Sequence, residues 1–267
     1  MKLIHLTDLH IAPEGTSDAL QGTVRRVRKA IEFINAKHAD AELCVVTGDI
    51  AYDPDETAYA LAEDLLSRLA VPTVSLIGNH DDRGFACAYL SSLSDDGHGF
   101  VQQTKSLSRG TAILLDTKDD GTHAGAFCET RQAWLAQKLA ECDGPVWLFM
   151  HHAPFATGLG DMDTIGMKES DARALAALLG AHGQIAHLFF GHYHRPMSGV
   201  WNGIPFSSHR SMMLQCALEF ETLSHITAVA EEPQIAIVLA DDTRTVVHYH
   251  DFDAAHDLTS LGAPDGE

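Results

Sequence analysis

Five short polar clusters hold most of the residues in this sequence that could bind a metal or transfer a proton. They are Asp8-Leu9-His10, Gly48-Asp49, Gly78-Asn79-His80-Asp81, His151-His152 and Gly191-His192-Tyr193-His194. Carboxylate, amide and imidazole donors without cysteine favour manganese, iron, zinc or cobalt over calcium or magnesium. Asp8 and His10 are two residues apart, as are His192 and His194, and this spacing points both side chains the same way in an extended chain.

The number of donors indicates more than one metal ion. The candidate ligands are Asp8, His10, Asp49, Asn79, His151, His192 and His194. This set is too large for one transition metal and fits two ions that share a bridging carboxylate. A single His or Asp at the end of a strand is usually an ordinary loop or core residue. Five such clusters together are different, because carboxylates and imidazoles gathered in a pocket are costly without a cation.

Each cluster directly follows a predicted strand. These strands are predicted over residues 2–7, 43–47, 71–77, 146–150 and 185–190. In an α/β sheet the segments after the carboxyl ends of the strands converge on one edge, where ligands bind. Clusters that lie far apart between residues 8 and 194 are therefore expected to meet in one pocket.

Short apolar β-rich segments alternate with helical patterns in the rest of the chain, which predicts an α/β domain. Further strands are predicted over 112–116, 203–207, 235–239 and 245–249, the last two as an antiparallel hairpin. Helices are predicted over about 23–36 and 130–142, from Ser170 to about Gly180, and after an N-cap at Asp53, with Pro54 first and Glu56 completing a capping box. Residues 95–110 and 158–168 lack a period and are predicted to be loops.

Composition and charge limit the function classes. The 267 residues can bury a sizeable core, and 37 acidic against 18 basic residues give a formal charge of −19. That charge argues against a large nucleic acid or an anionic membrane as partner. No apolar segment approaches the roughly 20 residues of a membrane span, and no secretory signal is recognised at the N-terminus. Five scattered cysteines predict reduced thiols and a cytoplasmic location.

The ordered motifs Asp-x-His, Gly-Asp, Gly-Asn-His-Asp, His and Gly-His-x-His resemble those of the calcineurin-like metallophosphoesterases. Longer segments resemble class III cyclic nucleotide phosphodiesterases and the related bacterial glycerophosphodiesterases: His5-Leu-Thr-Asp8-Leu-His10, Gly78-Asn-His-Asp-Asp82, Phe149-Met-His-His-Ala-Pro154 and Gly191-His-Tyr-His-Arg-Pro196. The resemblance implies a four-layer α/β/β/α sandwich of two mixed sheets flanked by helices. We expect one catalytic domain over 1–255, in which strands between 203 and 250 complete the second sheet, and a disordered tail over 256–267.

The resemblance also assigns roles to the clusters. Asp8, His10 and His194 would hold one divalent ion, Asn79, His151 and His192 would hold the other, and Asp49 would bridge them. His80 would contact the phosphoryl group as a catalytic residue, and His152 would lie behind the ligands. The implied activity is hydrolysis of a small phosphodiester, a cyclic nucleotide or a glycerophosphodiester, by attack of a metal-bridging hydroxide. Two ions would keep the pocket positive despite the acidic chain.

Two positions depart from the motifs of these enzymes. Tyr52 matches a tyrosine that binds ferric iron in purple acid phosphatases, but His10 is available for the same metal site, so Tyr52 is predicted to pack nearby. The glycerophosphodiesterase-like enzymes have a further substrate-contacting His followed by Gln some twenty residues after the last ligand. Here that register gives Leu214-Gln215. Either His209 supplies the contact through a gap or the contact is missing.

Two other functions remain open at this stage. A phosphomonoesterase could use the same metals with an extra cation, for which Arg83, Arg195 and Arg210 are candidates. A non-catalytic scaffold would be expected to lose ligands or His80, and this chain keeps all of them. The edge of the C-terminal hairpin could pair with a second subunit, which makes a homo-oligomer conceivable.

Overall fold

The computed structural model describes residues 1–13 and 22–254. Its strands are β1 (Lys2–Leu6), β2 (Leu43–Thr47), β3 (Thr73–Leu76), β4 (Gln103–Leu107), β5 (Gly110–Leu114), β6 (Val146–Phe149), β7 (Ile185–Phe189), β8 (Met197–Trp201), β9 (Ile204–Ser208), β10 (Gln215–Cys216), β11 (Ala228–Val229), β12 (Ile235–Ala240) and β13 (Thr245–His250). Its helices are α1 (Thr23–Lys37), α2 (Glu56–Leu66), α3 (Arg83–Tyr89), α4 (Glu129–Ala140), α5 (Gly160–Asp163) and α6 (Glu169–His182). No helix among these is long and apolar enough to cross a bilayer.

The strands form two mixed sheets and one short ladder. The five-stranded sheet has the order β13-β12-β1-β2-β3, and the six-stranded sheet has the order β4-β5-β6-β7-β9-β8. In the five-stranded sheet β1, β2 and β3 are parallel, and β12 runs antiparallel to both β1 and β13. In the six-stranded sheet β5, β6, β7 and β9 are parallel, and the edge strands β4 and β8 are antiparallel to their neighbours. Strands β10 and β11 form a separate two-stranded ladder. Parallel central strands need crossover connections, and the helices supply them.

Three apolar layers hold the sandwich together. Between the sheets, β1 to β3 and β12 face β5 to β7 through residues that include Leu3, Val45, Trp147 and Phe149. On the outer face of the five-stranded sheet, apolar residues of α1 and α2 pack against β1 and β2. On the outer face of the six-stranded sheet, α4 and α6 pack against β5 to β7. Strands buried on both faces explain the continuous apolar segments in the sequence. The predicted α/β/β/α class is confirmed.

The C-terminal strands divide between the two sheets, which corrects one expectation. Strand β9 joins the six-stranded sheet, as expected. The hairpin β12–β13 forms as predicted, but it belongs to the five-stranded sheet, where β12 pairs antiparallel with β1 from Lys2↔Leu239 to His5↔Ala236. The reason is that β1 has β2 on one side only, and β12 satisfies its other edge. The tail predicted over 256–267 lies outside the described residues.

Regular elements also occur where loops were predicted. Strand β4 lies within the predicted loop 95–110 and pairs antiparallel with β5. Strand β8 was not predicted either, and α5 lies within the predicted loop 158–168. Strands β4 and β8 lie at the two edges of the six-stranded sheet and are half-exposed, so their residues lack the apolar content that marks a central strand.

Helix α2 begins three residues later than its predicted N-cap. Its N-cap is Asp55, whose side chain accepts a hydrogen bond from the backbone N–H of Ala58 at 2.8 Å. The predicted capping box on Asp53 is therefore wrong, because a second acidic residue after Pro54 takes the capping position. The buried stripe of the helix is as predicted and includes Ala58, Ala62 and Leu65.

We expect Asp55→Ala to lower the free energy of unfolding by about 1 kcal/mol, because the first turn of α2 loses its cap. Asp53→Ala is the matched control, since Asp53 is also an exposed aspartate but accepts no such bond, and its effect should stay within about 0.5 kcal/mol. Urea denaturation followed by circular dichroism measures both. Equal effects of the two variants would place the cap elsewhere.

Candidate metal centre

The five polar clusters meet at one edge of the sandwich, between the two sheets. Asp8, Asp49 and Asn79 follow strands β1, β2 and β3 of the five-stranded sheet. His151 and His192 follow β6 and β7 of the six-stranded sheet. The strand-end argument therefore predicts the location of the site correctly.

The first donor group consists of Asp8, His10, Asp49 and His194, whose donor atoms all lie within 4.8 Å of one another. His194 Nε2 lies 3.4 Å from Asp8 Oδ1, and His10 Nε2 lies 3.6 Å from Asp49 Oδ2. The two Nε2 atoms are 3.0 Å apart. Two carboxylates and two imidazoles thus converge on one small volume.

The second donor group is built around the side-chain oxygen of Asn79. Asn79 Oδ1 lies 3.0 Å from His151 Nε2 and 2.8 Å from His192 Nδ1. His151 Nε2 also lies 3.4 Å from Asp49 Oδ1. Asp49 therefore directs Oδ2 towards the first group and Oδ1 towards the second, which is the arrangement of a bridging carboxylate.

His152 is close to His151 and His192, but both of its ring nitrogens already have partners. Its Nδ1 lies 2.9 Å from Thr117 Oγ1, and its Nε2 lies 3.1 Å from the carbonyl oxygen of His123. His152 therefore holds the loop after β5 in place and has no nitrogen free for a cation.

The backbone of the ligands is left-handed rather than extended. Positive φ angles occur at Asp8 (50°), His10 (45°), Asp49 (48°), His192 (69°) and His194 (47°). The expectation that Asp8 and His10 point the same way along an extended chain is therefore wrong. Left-handed non-glycine residues cost about 1–3 kcal/mol each and persist where the surrounding structure fixes them. Here they turn successive side chains out of the strand direction into the cleft.

Two of the glycines in the clusters, Gly78 and Gly191, are required for close packing, whereas Gly48 is required for its backbone conformation. Gly48 has a φ of +87°, which favours glycine. Gly78 and Gly191 have no positive φ, but a Cβ at Gly78 would lie 2.1 Å from Asp49 Oδ1. A Cβ at Gly191 would lie 2.1 Å from Thr7 Oγ1. The absence of a side chain at these two positions lets the ligands approach one another.

Asp81 connects two of the clusters, a role the sequence did not reveal. Its carboxylate accepts hydrogen bonds from the backbone N–H groups of Ile50, Ala51 and Gly78 and from the hydroxyl of Tyr59, at 2.8–3.1 Å. Burial raises the pKa of Asp81, and the charge of Asp49 raises it further. Its bonds fix the strained turn after Asp49 against the start of the Gly78 cluster.

The charge balance of the site fits a divalent cation. Burial lowers the pKa of His10 to about 3 and holds that of His192 well below its usual value, so both are neutral ligands. Burial also opposes the charge on His151, but Asp49 outweighs burial and raises the pKa of His151 to about 9. Without a metal, a proton on His151 must therefore balance Asp49. Among the residues that the structure describes, His10 Nδ1 and His192 Nε2 are buried and have no hydrogen-bond partner. Neutral imidazoles, orphaned nitrogens and buried carboxylates together fit a metal site.

Two of the histidines have the partners expected of metal ligands. His151 Nδ1 lies 2.8 Å from the carbonyl oxygen of Thr47, and His194 Nδ1 lies 2.9 Å from that of Leu214. When Nδ1–H donates to a carbonyl group, Nε2 carries the free lone pair. In both residues it is Nε2 that faces the carboxylates.

His80 lies beside the donors without joining them. Its backbone N–H donates to Asp49 Oδ1 at 2.9 Å, and its Nδ1 lies 3.0 Å from the carbonyl oxygen of Tyr52. Nε2 is then the ring atom available to a ligand. The ring of Tyr52 packs against His80 at 5.0 Å and against His10 at 5.8 Å.

A cavity of about 300 Å³ opens onto the donors. Its lining residues are Asp49, Asn79, His80, His123, Met162, Ile165, His192, His194, Met213, Leu214, Gln215, Cys216, Ile226 and Ala228. The lining thus combines the polar donor set with several apolar side chains. Among these lining residues there is no arginine or lysine.

His123 is a cavity residue that the sequence analysis missed. Its Nδ1 lies 2.8 Å from Asn79 Nδ2, and its ring lies 5.3 Å from that of His80. It lies in the loop after β5, and β5 belongs to the same sheet as β6 and β7. Applying the strand-end argument to β5 as well would have pointed to this loop.

The proposed substrate contact at His209 is not supported by its position. His209 is buried outside the cavity, and its ring lies 4.6 Å from that of His5. Leu214, the residue in the gapless register, does line the cavity. The carbonyl oxygen of Leu214 also lies 2.9 Å from His194 Nδ1, so Leu214, unlike His209, is held beside the donors.

The three candidate arginines each bind groups outside the metal-donor set. Arg83 binds Asp116 and Asp120, at 2.7 and 2.6 Å. Arg195 donates to the carbonyl oxygen of Cys216 at 2.7 Å, and Arg210 binds Glu231 at 2.7 Å. None of them lines the cavity.

Comparison with known proteins agrees with the geometry. The family model described as calcineurin-like phosphoesterase matches residues 1–196. A probable cyclic nucleotide phosphodiesterase of Rhodopseudomonas palustris is 37% identical over 94% of this chain and 93% of its own. The 3′,5′-cyclic adenosine monophosphate phosphodiesterase CpdA of Escherichia coli is 28% identical over 76% and 73%. A probable glycerophosphodiester phosphodiesterase GpdQ of Arcobacter nitrofigilis is 27% identical over 89% and 88%.

Solved structures share the fold. A purple acid phosphatase from yellow lupin (Lupinus luteus) superimposes with a TM-score of 0.62 and covers 98% of this chain and 57% of its own. With 14% sequence identity, this similarity concerns the fold alone.

We expect Gly78→Ala to reduce metal binding sharply, because the added methyl group would overlap the Asp49 carboxylate. Gly144→Ala is the matched control, since nothing lies within 4 Å of a Cβ there. Metal analysis of the purified variants gives the metal-to-protein ratio, and thermal unfolding shows whether each variant is folded. A folded Gly78→Ala variant with the full metal content would contradict the packing argument.

Proposed function

The chain belongs to the calcineurin-like phosphoesterase family, and we propose that it is a metal-dependent phosphodiesterase that hydrolyses cyclic nucleotides. One observation carries the proposal. Asp49 lies between two histidine-containing donor groups, and these border a cavity that is also lined by apolar side chains. The first feature suits phosphoryl chemistry, and the second suits a substrate with a nucleobase.

The residues divide into two sets of ligands. Asp8, His10 and His194 would hold one divalent ion, Asn79, His151 and His192 would hold the other, and Asp49 would bridge them. Manganese, iron, zinc and cobalt all suit this mixture of oxygen and nitrogen donors. When bound, such a pair of ions supplies a water of lowered pKa and Lewis-acid stabilisation of the phosphoryl oxygens.

His80 is the catalytic side chain in this proposal. Its Nδ1–H donates to the Tyr52 carbonyl oxygen, and the ring is packed between Tyr52 and His10, so its orientation is fixed. In the protonated ring, Nε2–H can then donate a hydrogen bond to a phosphoryl oxygen or protonate the leaving alkoxide. His123 is the second imidazole near this space and the residue best placed to compensate for the leucine at 214.

The cavity favours a diester with an apolar group. Met162, Ile165, Met213, Leu214 and Ile226 supply apolar side chains to its lining. A purine ring would bury apolar surface there, whereas a glycerol group would lose hydration without compensation. A phosphodiester has one negative charge, and the absence of a lining arginine or lysine suits it better than a doubly charged monoester. Glycerophosphodiesters remain the second candidate because the GpdQ relative is named for them.

Two further expectations remain proposals. We place the protein in the cytoplasm, which is supported by five cysteines that are all free thiols. A homo-oligomer is supported by strand β13, which forms one edge of the five-stranded sheet in the part of the chain that the structure describes. The charge of −19 argues against a large nucleic acid as a partner.

A substrate panel tests the proposed function. With added Mn²⁺, we expect kcat/KM to be highest for 3′,5′-cyclic AMP, lower for glycerophosphoethanolamine and lowest for p-nitrophenyl phosphate. The same protein treated with EDTA is the control and should be inactive. A preference for the monoester would overturn the diesterase assignment. No turnover of any ester at any metal loading would favour a non-catalytic scaffold.

We expect His80→Ala to keep its metal content and to lose about 10²–10⁴-fold in kcat, because it removes the proton donor and leaves the ligands intact. His98→Ala is the control. His98 is an exposed histidine in a loop, and this variant should retain both metal and activity. Metal analysis and steady-state kinetics with cyclic AMP measure the two effects separately. An unchanged rate in His80→Ala would remove His80 from the mechanism.

A further inference from the structure

A row of four buried polar side chains runs from the interior between the sheets to the metal centre. His5 Nε2 lies 2.7 Å from Thr47 Oγ1, and Thr47 Oγ1 lies 2.8 Å from Thr7 Oγ1. Thr7 Oγ1 in turn lies 2.7 Å from Asp8 Oδ2. All four side chains belong to residues that are at most 1% exposed. The row lies in one sheet, because β1 and β2 are parallel neighbours. Thr7 directly follows β1, and Thr47 is the last residue of β2.

The carboxylate at one end determines the direction of every bond in the row. An ionised Asp8 only accepts, so the single hydroxyl proton of Thr7 goes to Asp8. Thr7 must then accept from Thr47, and Thr47 must accept from His5. The alternative acceptors, the carbonyl oxygens of Thr47 and Leu6, are 3.5 Å away. Burial lowers the pKa of His5 well below its usual value, so its ring is neutral and carries its one proton on Nε2.

The two oxygens of Asp8 have different partners as a result. Oδ2 receives the Thr7 hydroxyl, whereas Oδ1 lies 3.4 Å from Nε2 of His194. The backbone N–H of His192 is shared between both oxygens, at 3.0 and 3.1 Å, and so does not distinguish them. The Thr7 hydroxyl is therefore the contact that turns Oδ1 towards the metal ligands.

Packing leaves the row little freedom. The ring of His5 is surrounded by those of Phe149, Phe189 and His209, with centroids at 6.0, 5.5 and 4.6 Å. At the other end, the space occupied by the Thr7 hydroxyl exists only because residue 191 is glycine. His209, which does not reach the cavity, thus serves as one wall around His5.

We propose that the chain His5→Thr47→Thr7→Asp8 positions the Asp8 carboxylate and thereby determines how tightly one of the two metal ions is held. This inference rests on the metal centre of the proposed function and adds three positioning residues to it. The side chains of the three residues do not line the cavity, and the Thr47 carbonyl group that faces His151 Nδ1 belongs to the backbone. The effect of the three side chains reaches the metal through the orientation and polarisation of Asp8, as with other partners of metal ligands.

Removal of single hydroxyl groups tests this inference. The Zn²⁺-loaded protein is mixed with 4-(2-pyridylazo)resorcinol, whose absorbance reports the ions it extracts. We expect Thr7→Val to weaken the hold on one ion about 10–100-fold and to leave the other ion less affected. Thr47→Val should act in the same direction but less strongly. Thr7→Ser and Thr47→Ser keep the hydroxyl groups and should restore the wild-type retention.

Thr23→Val is the matched control, since Thr23 is fully buried and its hydroxyl has no hydrogen-bond partner. It should release Zn²⁺ as the wild type does. Thermal unfolding of each loaded variant reports any general loss of stability. If Zn²⁺ retention fell equally in Thr23→Val and Thr7→Val, the effect would come from the loss of any buried hydroxyl group. That result would overturn the inference.

A double variant distinguishes a chain from independent contacts. Because Thr47 reaches Asp8 only through Thr7, we expect Thr7→Val with Thr47→Val to match Thr7→Val alone. Additive effects of the two substitutions, or unchanged retention in Thr7→Val, would overturn the chain while leaving the metal centre in place. A wild-type protein that retains no Zn²⁺ would instead overturn the metal centre itself.

Discussion

Two buried carboxylates that require positive charge determine how this end of the molecule is built. Asp8 and Asp49 lie within a few ångströms of each other and are 0% and 2% exposed. Without a cation they must share protons with His151 and His194, whose pKa values rise against the effect of burial because of those carboxylates. Divalent ions would replace the protons and remove the repulsion. The strained backbone, the missing side chains and the buried hydrogen bonds around the site all serve to hold these two groups together.

The division of ligands between the sheets links the site to the fold. The five-stranded sheet supplies both carboxylates, the amide of Asn79 and His10, while the six-stranded sheet supplies His151, His192 and His194. Neither sheet alone offers a balanced set of donors. Metal binding would therefore join the two halves of the sandwich at the edge where no apolar layer reaches. Beside these donors, Leu214 and Ile226 are among the apolar side chains that line the cavity.

Much of this could be predicted from the sequence, because buried parallel strands leave strong apolar patterns and their carboxyl ends must converge. The central strands, the hairpin β12–β13 and the meeting of the five clusters follow from that argument. Features that depend on contacts across the chain could not be predicted. Edge strands such as β4 have too little apolar content to be recognised. Asp53 and Asp55 are both aspartates next to Pro54, and only the three-dimensional structure shows which of them caps the helix. The roles of His123 and Asp81 depend on residues distant in the sequence, since His123 contacts Asn79 and Asp81 accepts from the backbone of Ile50 and Ala51.

The left-handed backbone at the ligands has an evolutionary consequence. Five of the predicted ligand positions have a conformation that glycine, asparagine and aspartate adopt most easily and β-branched residues hardly at all. A descendant that lost its catalytic role would be released from the need for metal but not from the need to make these turns. Its former ligand positions should therefore drift mainly towards glycine and asparagine. Such substitutions would record the shape of the ancestral cleft long after its chemistry had gone.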